Sequence, residues 1–191
     1  MTTPRPTTQG APAVTVRRTS PPDWEVMREL RLAALRTDPD AFGSTLEREL
    51  AFEQQEWEER CANPDSYVAF LYGRPVGLGA FVPTTIAAPS HGDDATSNGP
   101  AAQGSAQVRQ IVSVWTAPDA RGQGVAQAVI ETLVESARRQ GAARLTLLVT
   151  IGNELAVRLY RRIGFRETGR TEALPGRPHL LEAEMTLDLA P

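Results

Sequence analysis

Lysine is missing from this chain of 191 residues, and all 20 of the residues in its Lys+Arg count are arginine. That absence removes the Walker A lysine that grips phosphates, the strand lysine of protein kinases and the lysine that forms Schiff bases. One cysteine, Cys61, allows no internal disulfide. The opening run Met1-Thr2-Thr3-Pro4-Arg5-Pro6 lacks the apolar stretch of a secretory signal. Nowhere do apolar residues continue for the roughly 18 positions that a membrane span requires. The chain therefore reads as cytoplasmic, without a membrane partner. Nor is there an excess of one charge: 20 basic against 23 acidic residues leave a formal net charge of -3. The clustered basic surface that nucleic acid demands is not there, so nucleic acid is set aside as a partner.

What is present is the make-up of one globular domain with a real core, 41% hydrophobic and 23% charged. Residues 1–13 are mostly Pro, Thr and Gly with little to bury, and are expected to be a disordered tail. The domain is expected over residues 14–191. After a short strand at residues 15–18, Ser20-Pro21-Pro22-Asp23 combines an N-cap serine, a proline at the first helical position and an acid at the third. Trp24, Met27, Leu30, Ala34 and Leu35 then form the apolar stripe of a helix that Asp38-Pro39-Asp40 ends. The capping box Ser44-Thr45-Leu46-Glu47 predicts a second helix with Leu46, Leu50, Trp57 and Cys61 on one side. Strands at residues 67–72 and 76–82 flank the turn Gly73-Arg74-Pro75. Residues 83–106 are Ala, Pro, Ser, Gly and Asp without periodicity, too long for a hairpin loop. They are expected to be a flexible insertion, either a mobile segment or a flap over a site.

Beyond a strand at residues 108–116, the pairs Val125/Ala126, Val129/Ile130 and Leu133/Val134 recur every four residues in an amphipathic helix that Gly141 stops. Residues 145–149 are almost wholly apolar, as in a central strand. A short helix carrying Leu155, Ala156, Leu159 and Tyr160 and closed by Gly164 follows, and then two strands. In the last, Leu181, Ala183, Met185, Leu187 and Leu189 alternate with Glu182, Glu184, Thr186 and Asp188.

The strongest chemical signal is a strand, then Arg121-Gly122-Gln123-Gly124-Val125-Ala126, then a helix. Glycines let the backbone approach a ligand closely, and unpaired amides at a helix N-terminus face an anion, which suits a pyrophosphate. A dinucleotide fingerprint fits poorly, because Gln127 stands where its third glycine would be. Taken alone, a glycine pair serves equally well as a tight turn. A second segment, Asn153-Glu154-Leu155-Ala156-Val157-Arg158-Leu159-Tyr160-Arg161-Arg162-Ile163-Gly164-Phe165, makes the pattern specific.

Together the two segments resemble motifs A and B of the GNAT superfamily of acetyl-CoA-dependent N-acetyltransferases. The first matches Arg/Gln-x-x-Gly-x-Gly/Ala at Arg121, Gly124 and Ala126; the second matches Asn-x-x-Ala-x-x-Leu-Tyr-x-x-x-Gly-Phe at every defined position. The resemblance implies an α+β fold: a mixed, mostly antiparallel central sheet flanked by helices on both faces. It implies acetyl-CoA as cosubstrate, with Val114 and Thr116 offering main-chain groups to the pantetheine arm and the loop of Arg121, Gly122, Gln123, Gly124, Val125 and Ala126 holding the pyrophosphate. Asn153 would bind near the thiol end and Tyr160 would protonate the departing thiolate; as side chains alone, Asn153 also suits an N-cap and Tyr160 a core aromatic. The family's acceptor pocket falls at Asp40-Ala41-Phe42-Gly43-Ser44, with Phe42 as its wall. Arg158 or Arg162 would be within reach of a cofactor phosphate.

One departure concerns the base. Where many members carry a glutamate on the strand before motif A, this chain has Gln110, which cannot take a proton. The base is unassigned from sequence. Cys61 ends a predicted helix, where the dipole disfavours a thiolate, and is expected to be a small core residue. His91 and His179 have no ligand spacing to each other or to Cys61, so no metal is expected. The expected function is transfer of an acetyl group from acetyl-CoA to a primary amine, on a small molecule or a peptide, by direct attack in a ternary complex. A non-catalytic acyl-CoA-binding module is the alternative, and a homodimer stays open.

Overall fold

In the computed structural model, which describes residues 14–83 and 107–189, the chain enters its first helix through the Ser20-Pro21-Pro22-Asp23 signal. The Ser20 main-chain N–H and hydroxyl both donate to the Asp23 carboxylate at 2.8 Å. Arg17 closes on the same carboxylate at 2.6 and 2.9 Å. These contacts join β1 (Val14–Arg18) through a 3₁₀ turn to α1 (Trp24–Thr37), which buries Met27, Leu30, Leu32, Ala34 and Leu35.

The single helix expected after Ser44 is two, α2 (Leu46–Leu50) and α3 (Gln54–Ala62). Thr45 is the N-cap rather than Ser44, its hydroxyl accepting from the Arg48 N–H at 3.2 Å. Glu53 starts α3 afresh, with its own N–H donating to the Glu56 carboxylate at 2.9 Å. The break turns Leu50 outward, 45% exposed, while Trp57 and Cys61 stay in the core.

Strands β2 (Ser66–Leu71) and β3 (Arg74–Pro83) meet at a two-residue turn. Tyr72 and Gly73 form it at φ of 51° and 80°, the hand that follows strand twist, so Arg74 and Pro75 belong to the strand instead. Pro83, expected to open the insertion, closes β3. The remainder of that insertion, residues 84–106, and the expected tail, residues 1–13, lie outside the described residues.

The rest of the chain forms β4 (Val108–Thr116), α4 (Val125–Arg139), β5 (Arg144–Thr150), α5 (Glu154–Ile163), β6 (Arg166–Leu174) and β7 (Arg177–Asp188). The strands make one sheet in the order β1-β2-β3-β4-β5-β7-β6. Its neighbours are antiparallel except β4 and β5, which run parallel, so the expected mixed and mostly antiparallel α+β architecture is the one observed. On one face α1 and α3 pack Met27, Leu35 and Trp57 against Val68, Leu78 and Trp115. On the other, α4 lays Val129, Ile130 and Leu133 against Phe81 and Leu145, and Tyr160 of α5 joins the same cluster. Burying each such side chain contributes about 1.5–3 kcal/mol. At Gly79 a side chain would put Cβ 2.5 Å from Val129 Cγ1, so the missing atom lets α4 lie close to β3. No helix among the described residues is long and apolar enough to cross a membrane.

Candidate active site

The parallel pair β4 and β5 is hydrogen-bonded over only part of its length, from Val108 opposite Arg144 to Ile111 opposite Leu147. The cause is local. Against β3 the register of β4 jumps between Leu78 and Ala80, and Ser113 stands at φ 59°, a conformation that a non-glycine residue seldom takes. A bulge of this kind bends its strand. Beyond Ile111, β4 therefore leaves β5, and residues 112–116 turn main-chain groups toward a gap instead of a neighbouring strand.

At the mouth of that gap α4 begins. Its N-cap is Gly124 at φ 82°, preceded by Gly122 at φ 77°. The main-chain N–H groups of residues 122–127 have no hydrogen-bond partner among the described residues, the ordinary state of a helix N-terminus awaiting an acceptor. Between this terminus, β4 and α5 lies a cleft of about 530 Å³. Nine of the sequence-predicted residues line it: Val114, Thr116, Arg121, Gly122, Gly124, Val125, Ala126, Asn153 and Tyr160. Thr116 is buried and its hydroxyl has no partner among the described residues. Arg162 also reaches the wall, whereas Arg158 faces Glu154 at 4.0 Å.

Two of the expected ligands behave differently from the rest. The Gln123 side chain is not part of the wall; its amide donates to the Asp119 carbonyl at 3.0 Å, leaving only the main-chain N–H for a ligand. Arg121 lines the cleft but its guanidinium is committed, donating to the Thr116 carbonyl at 3.1 Å and to Asp38 at 2.5 Å. Asp38, read from sequence only as a helix stop, also accepts from the Trp115 indole at 2.8 Å. Burial opposes its charge, but hydrogen bonds from Thr37, Trp115 and Arg121 hold its carboxyl below the usual carboxylate range. Leu155, one of the apolar residues of α5, is 76% exposed and lines the cleft; Tyr160 is the buried residue of α5.

A second, smaller cavity of about 80 Å³ lies between the parted strands. Ala41, Val114, Asn153, Ala156 and Tyr160 line both spaces and so stand at their junction. Asn153 is an N-cap as well, its Oδ1 accepting from the Ala156 N–H at 3.2 Å. The Tyr160 ring meets Phe165 edge-on at 5.9 Å, and its hydroxyl has no hydrogen-bond partner among the described residues. Burial pushes its phenol up to about 12, so the group is protonated throughout the neutral range.

Phe42 lines the smaller cavity, buried beneath the Arg31 guanidinium, 4.6 Å from its ring. The loop bearing it is clamped from several sides. Asp38 holds it to β4, Arg177 of β7 pairs with Asp40, and the Thr150 hydroxyl of β5 donates to the Asp40 carbonyl at 3.2 Å.

The alternation of β7 separates Leu181 from Glu182 as expected, but at this end of the strand the loop reverses the usual burial: Leu181 is 47% exposed and Glu182 only 7%. Glu182 lines the smaller cavity beside Phe42, Ser113 and Tyr160. A period-2 pattern identifies faces but carries nothing about a loop docked from another part of the chain. Gln110, at the expected base position, pairs in the ladder with Val82 and Thr146 and lines neither cavity. Cys61 is the expected core residue, fully buried, its thiol pushed up to about 11 by burial and by the charges of Asp23 and Glu58.

The sequence profile of the Acetyltransferase (GNAT) family matches residues 24–165, and the chain belongs to that family. An uncharacterized N-acetyltransferase of Methanocaldococcus jannaschii is 34% identical over 61 residues, which are 32% of this chain and 27% of that protein. The chain spans less than a third of the length of the first curated relatives it matches. Among solved structures, a GNAT-family acetyltransferase of Streptococcus pneumoniae superimposes with a TM-score of 0.68 at 19% identity, covering 92% of this chain and 99% of that one. The yncA protein of Salmonella typhimurium, solved with acetyl-CoA, gives 0.66 at 19% identity over 94% of this chain and 95% of that one. At such identities the likeness is one of fold.

Proposed function

We propose that this protein is an N-acetyltransferase that moves an acetyl group from acetyl-CoA to a primary amine by direct attack in a ternary complex. One observation carries the reading: a cleft floored by unpaired amides and a small cavity holding a buried carboxyl meet at Tyr160 and Asn153. The residues present fit the donor. The N–H row of residues 122–127 suits a pyrophosphate, and the β4 edge that faces the gap, open at Val114 with the Thr116 carbonyl beyond it held by Arg121, suits the amide-bearing pantetheine arm. Leu155 offers that arm an apolar flank.

Acetyl-CoA supplies a thioester that an amine can attack and a thiol that can leave. The protein's part is to hold both reactants at the strand gap and to handle protons. Main-chain N–H groups of β4 around Val114 stabilise the developing oxyanion. Tyr160 donates its hydroxyl proton toward the departing sulfur. A phenol near 12 is a weaker acid than a thiol near about 8.5, so Tyr160 acts as a relay, giving its proton to sulfur while taking one from nitrogen. The Phe42 loop walls the acceptor side.

The alternative, a non-catalytic acyl-CoA-binding module, is favoured by Gln110, which cannot serve as a base. Mixing the purified protein with acetyl-CoA and a panel of small and peptide amines, while following free thiol, separates the two. Amine-dependent thiol release is the expected result. Acetyl-CoA binding without release would favour the module, and no binding at all would end both readings.

A further inference from the structure

Glu182 occupies an unusual setting for a carboxylate. It is 7% exposed, and among the described residues no arginine pairs with it. A buried charge without a counter-ion destabilises a fold and is tolerated where something else is gained. Across the sheet its neighbours are Thr150 on β5 and Glu172 on β6. Its cavity also holds Tyr160, which continues into the larger cleft, and the strained bulge residue Ser113.

We propose that Glu182 is the group that takes the proton from the acceptor's ammonium ion, so that the site draws in a cationic primary amine and neutralises it in place. The inference rests on the acetyl-transfer reading of the cleft, and it supplies the base that Gln110 cannot be. The protons balance. The acceptor enters as R–NH₃⁺ and gives one proton to the Glu182 carboxylate. Its nitrogen lone pair then forms the C–N bond to the thioester carbon as the C–S bond breaks. A second proton leaves nitrogen and reaches sulfur through Tyr160, giving the amide and free thiol, and Glu182 returns its proton to water.

The electrostatics of the cavity suit this duty. Burial first, and then the charge of Glu172, raise the Glu182 carboxyl above the ordinary glutamate value, which makes its carboxylate a stronger proton acceptor. From α5 the titratable group facing it is Tyr160, which stays protonated. The α1–α2 loop brings Ala41 and Phe42 to the cavity, and the neighbouring Asp40 is exposed and paired with Arg177. Arg31 stands behind the Phe42 ring and is committed to Glu49 at 2.9 Å. Ser113 of β4 and Thr150 of β5 do not titrate.

The test compares wild type with Glu182→Gln, a neutral isostere at a position where losing charge removes a burial cost, and with Glu182→Asp as a shorter acid. Two small acceptors serve as probes: ethylamine, an ammonium ion at neutral pH, and 2,2,2-trifluoroethylamine, a primary amine of similar shape that is mostly neutral there. Glu182→Gln should lower kcat/KM for ethylamine by roughly 10²-fold and flatten the acidic limb of its pH profile, while trifluoroethylamine turnover changes little. Glu182→Asp should recover part of the loss. Independently of turnover, wild type should show an infrared band of a protonated carboxyl that titrates above the usual glutamate range and is absent from Glu182→Gln. Acetyl-CoA affinity by calorimetry should be equal in all three proteins. Equal ethylamine turnover in Glu182→Gln, or an equal loss with both amines, would overturn the proposal while leaving acetyl transfer intact. Failure of wild type to bind acetyl-CoA, or to release thiol with any amine, would overturn the acetyl-transfer reading itself and this inference with it.

Discussion

Glu49 and Glu182 are both withdrawn from solvent, 0% and 7% exposed, yet their surroundings are opposite. Glu49 sits among α1, α2 and α3 and accepts from Arg31 at 2.9 Å and from Arg60 at 3.0 Å. Burial opposes its charge, but the hydrogen bonds and charge of Arg31, with help from Arg60, hold its carboxyl below the ordinary glutamate value. Glu182 sits between the parted strands with no cation, and burial moves its carboxyl the other way. One region uses a buried carboxylate to tie helices together, and the other leaves one unpaired at a cavity. A paired buried charge is explained by the fold it holds; an unpaired one calls for a reason outside stability.

The largest expected effect breaks the first member of the comparison. Glu49→Gln keeps the shape but leaves Arg31, 10% exposed, without an anion, and should cost about 3–5 kcal/mol in urea unfolding. Replacing both partners by apolar groups, Glu49→Leu together with Arg31→Met, should cost much less than the single variant, because no orphaned charge or unpaired amide is left between the helices. A loss below about 1 kcal/mol for the single variant would make the network ornamental. In the other region, Tyr160→Phe keeps the ring against Phe165 and deletes the hydroxyl. It should lower kcat about 10²- to 10⁴-fold with acetyl-CoA affinity nearly intact, as read from thiol release and calorimetry. Wild-type turnover in that variant would leave Tyr160 a core aromatic and move the relay to water.

A smaller effect separates backbone strain from ligand contact. Gly124 and Gly73 have nearly the same φ, 82° and 80°, and a Cβ at either would meet nothing within 4 Å. Valine at each position should therefore cost the fold similarly, about 1–2 kcal/mol. Only Gly124→Val, whose side chain would enter the space before the α4 amides, should also weaken acetyl-CoA binding, by about 100-fold or 2.7 kcal/mol. Equal affinity for the two valine variants would remove the pyrophosphate from the α4 terminus.

The sequence carries the strands and the α4 terminus better than the surroundings of either glutamate, for physical reasons. Alternation and turn residues mark the strands, and β4 falls on residues 108–116 as expected, because period-2 patterning is written locally. The glycines of the α4 terminus are also local. The break before α3 was present in Glu53 and Glu56, hidden within a run of helix-favouring residues. The parting of β4 from β5 hangs on the φ of Ser113, which its residue type does not announce. The cover over Glu182 depends on Asp38 meeting Trp115 and Asp40 meeting Arg177, pairs 77 and 137 positions apart. No window along the chain contains such contacts.

The smallest effect sharpens the comparison through its sign. Glu49 has a folded pKa below its unfolded one, so it contributes stability above the unfolded value and loses that contribution as pH falls through it. Glu182 has a folded pKa above its unfolded one. Between the two values the folded state binds more protons, so its contribution falls as pH rises through that window and stays unfavourable above it. Gln at 182 has no such dependence. Glu182→Gln should therefore match wild type in stability at acid pH and exceed it at neutral pH. Glu172→Gln, which removes the neighbouring charge, should narrow the gap between wild type and Glu182→Gln. Urea melts across the carboxylate range measure all of this without acetyl-CoA. If Glu182→Gln instead loses stability as pH rises, the carboxylate has a stabilising partner and belongs with Glu49.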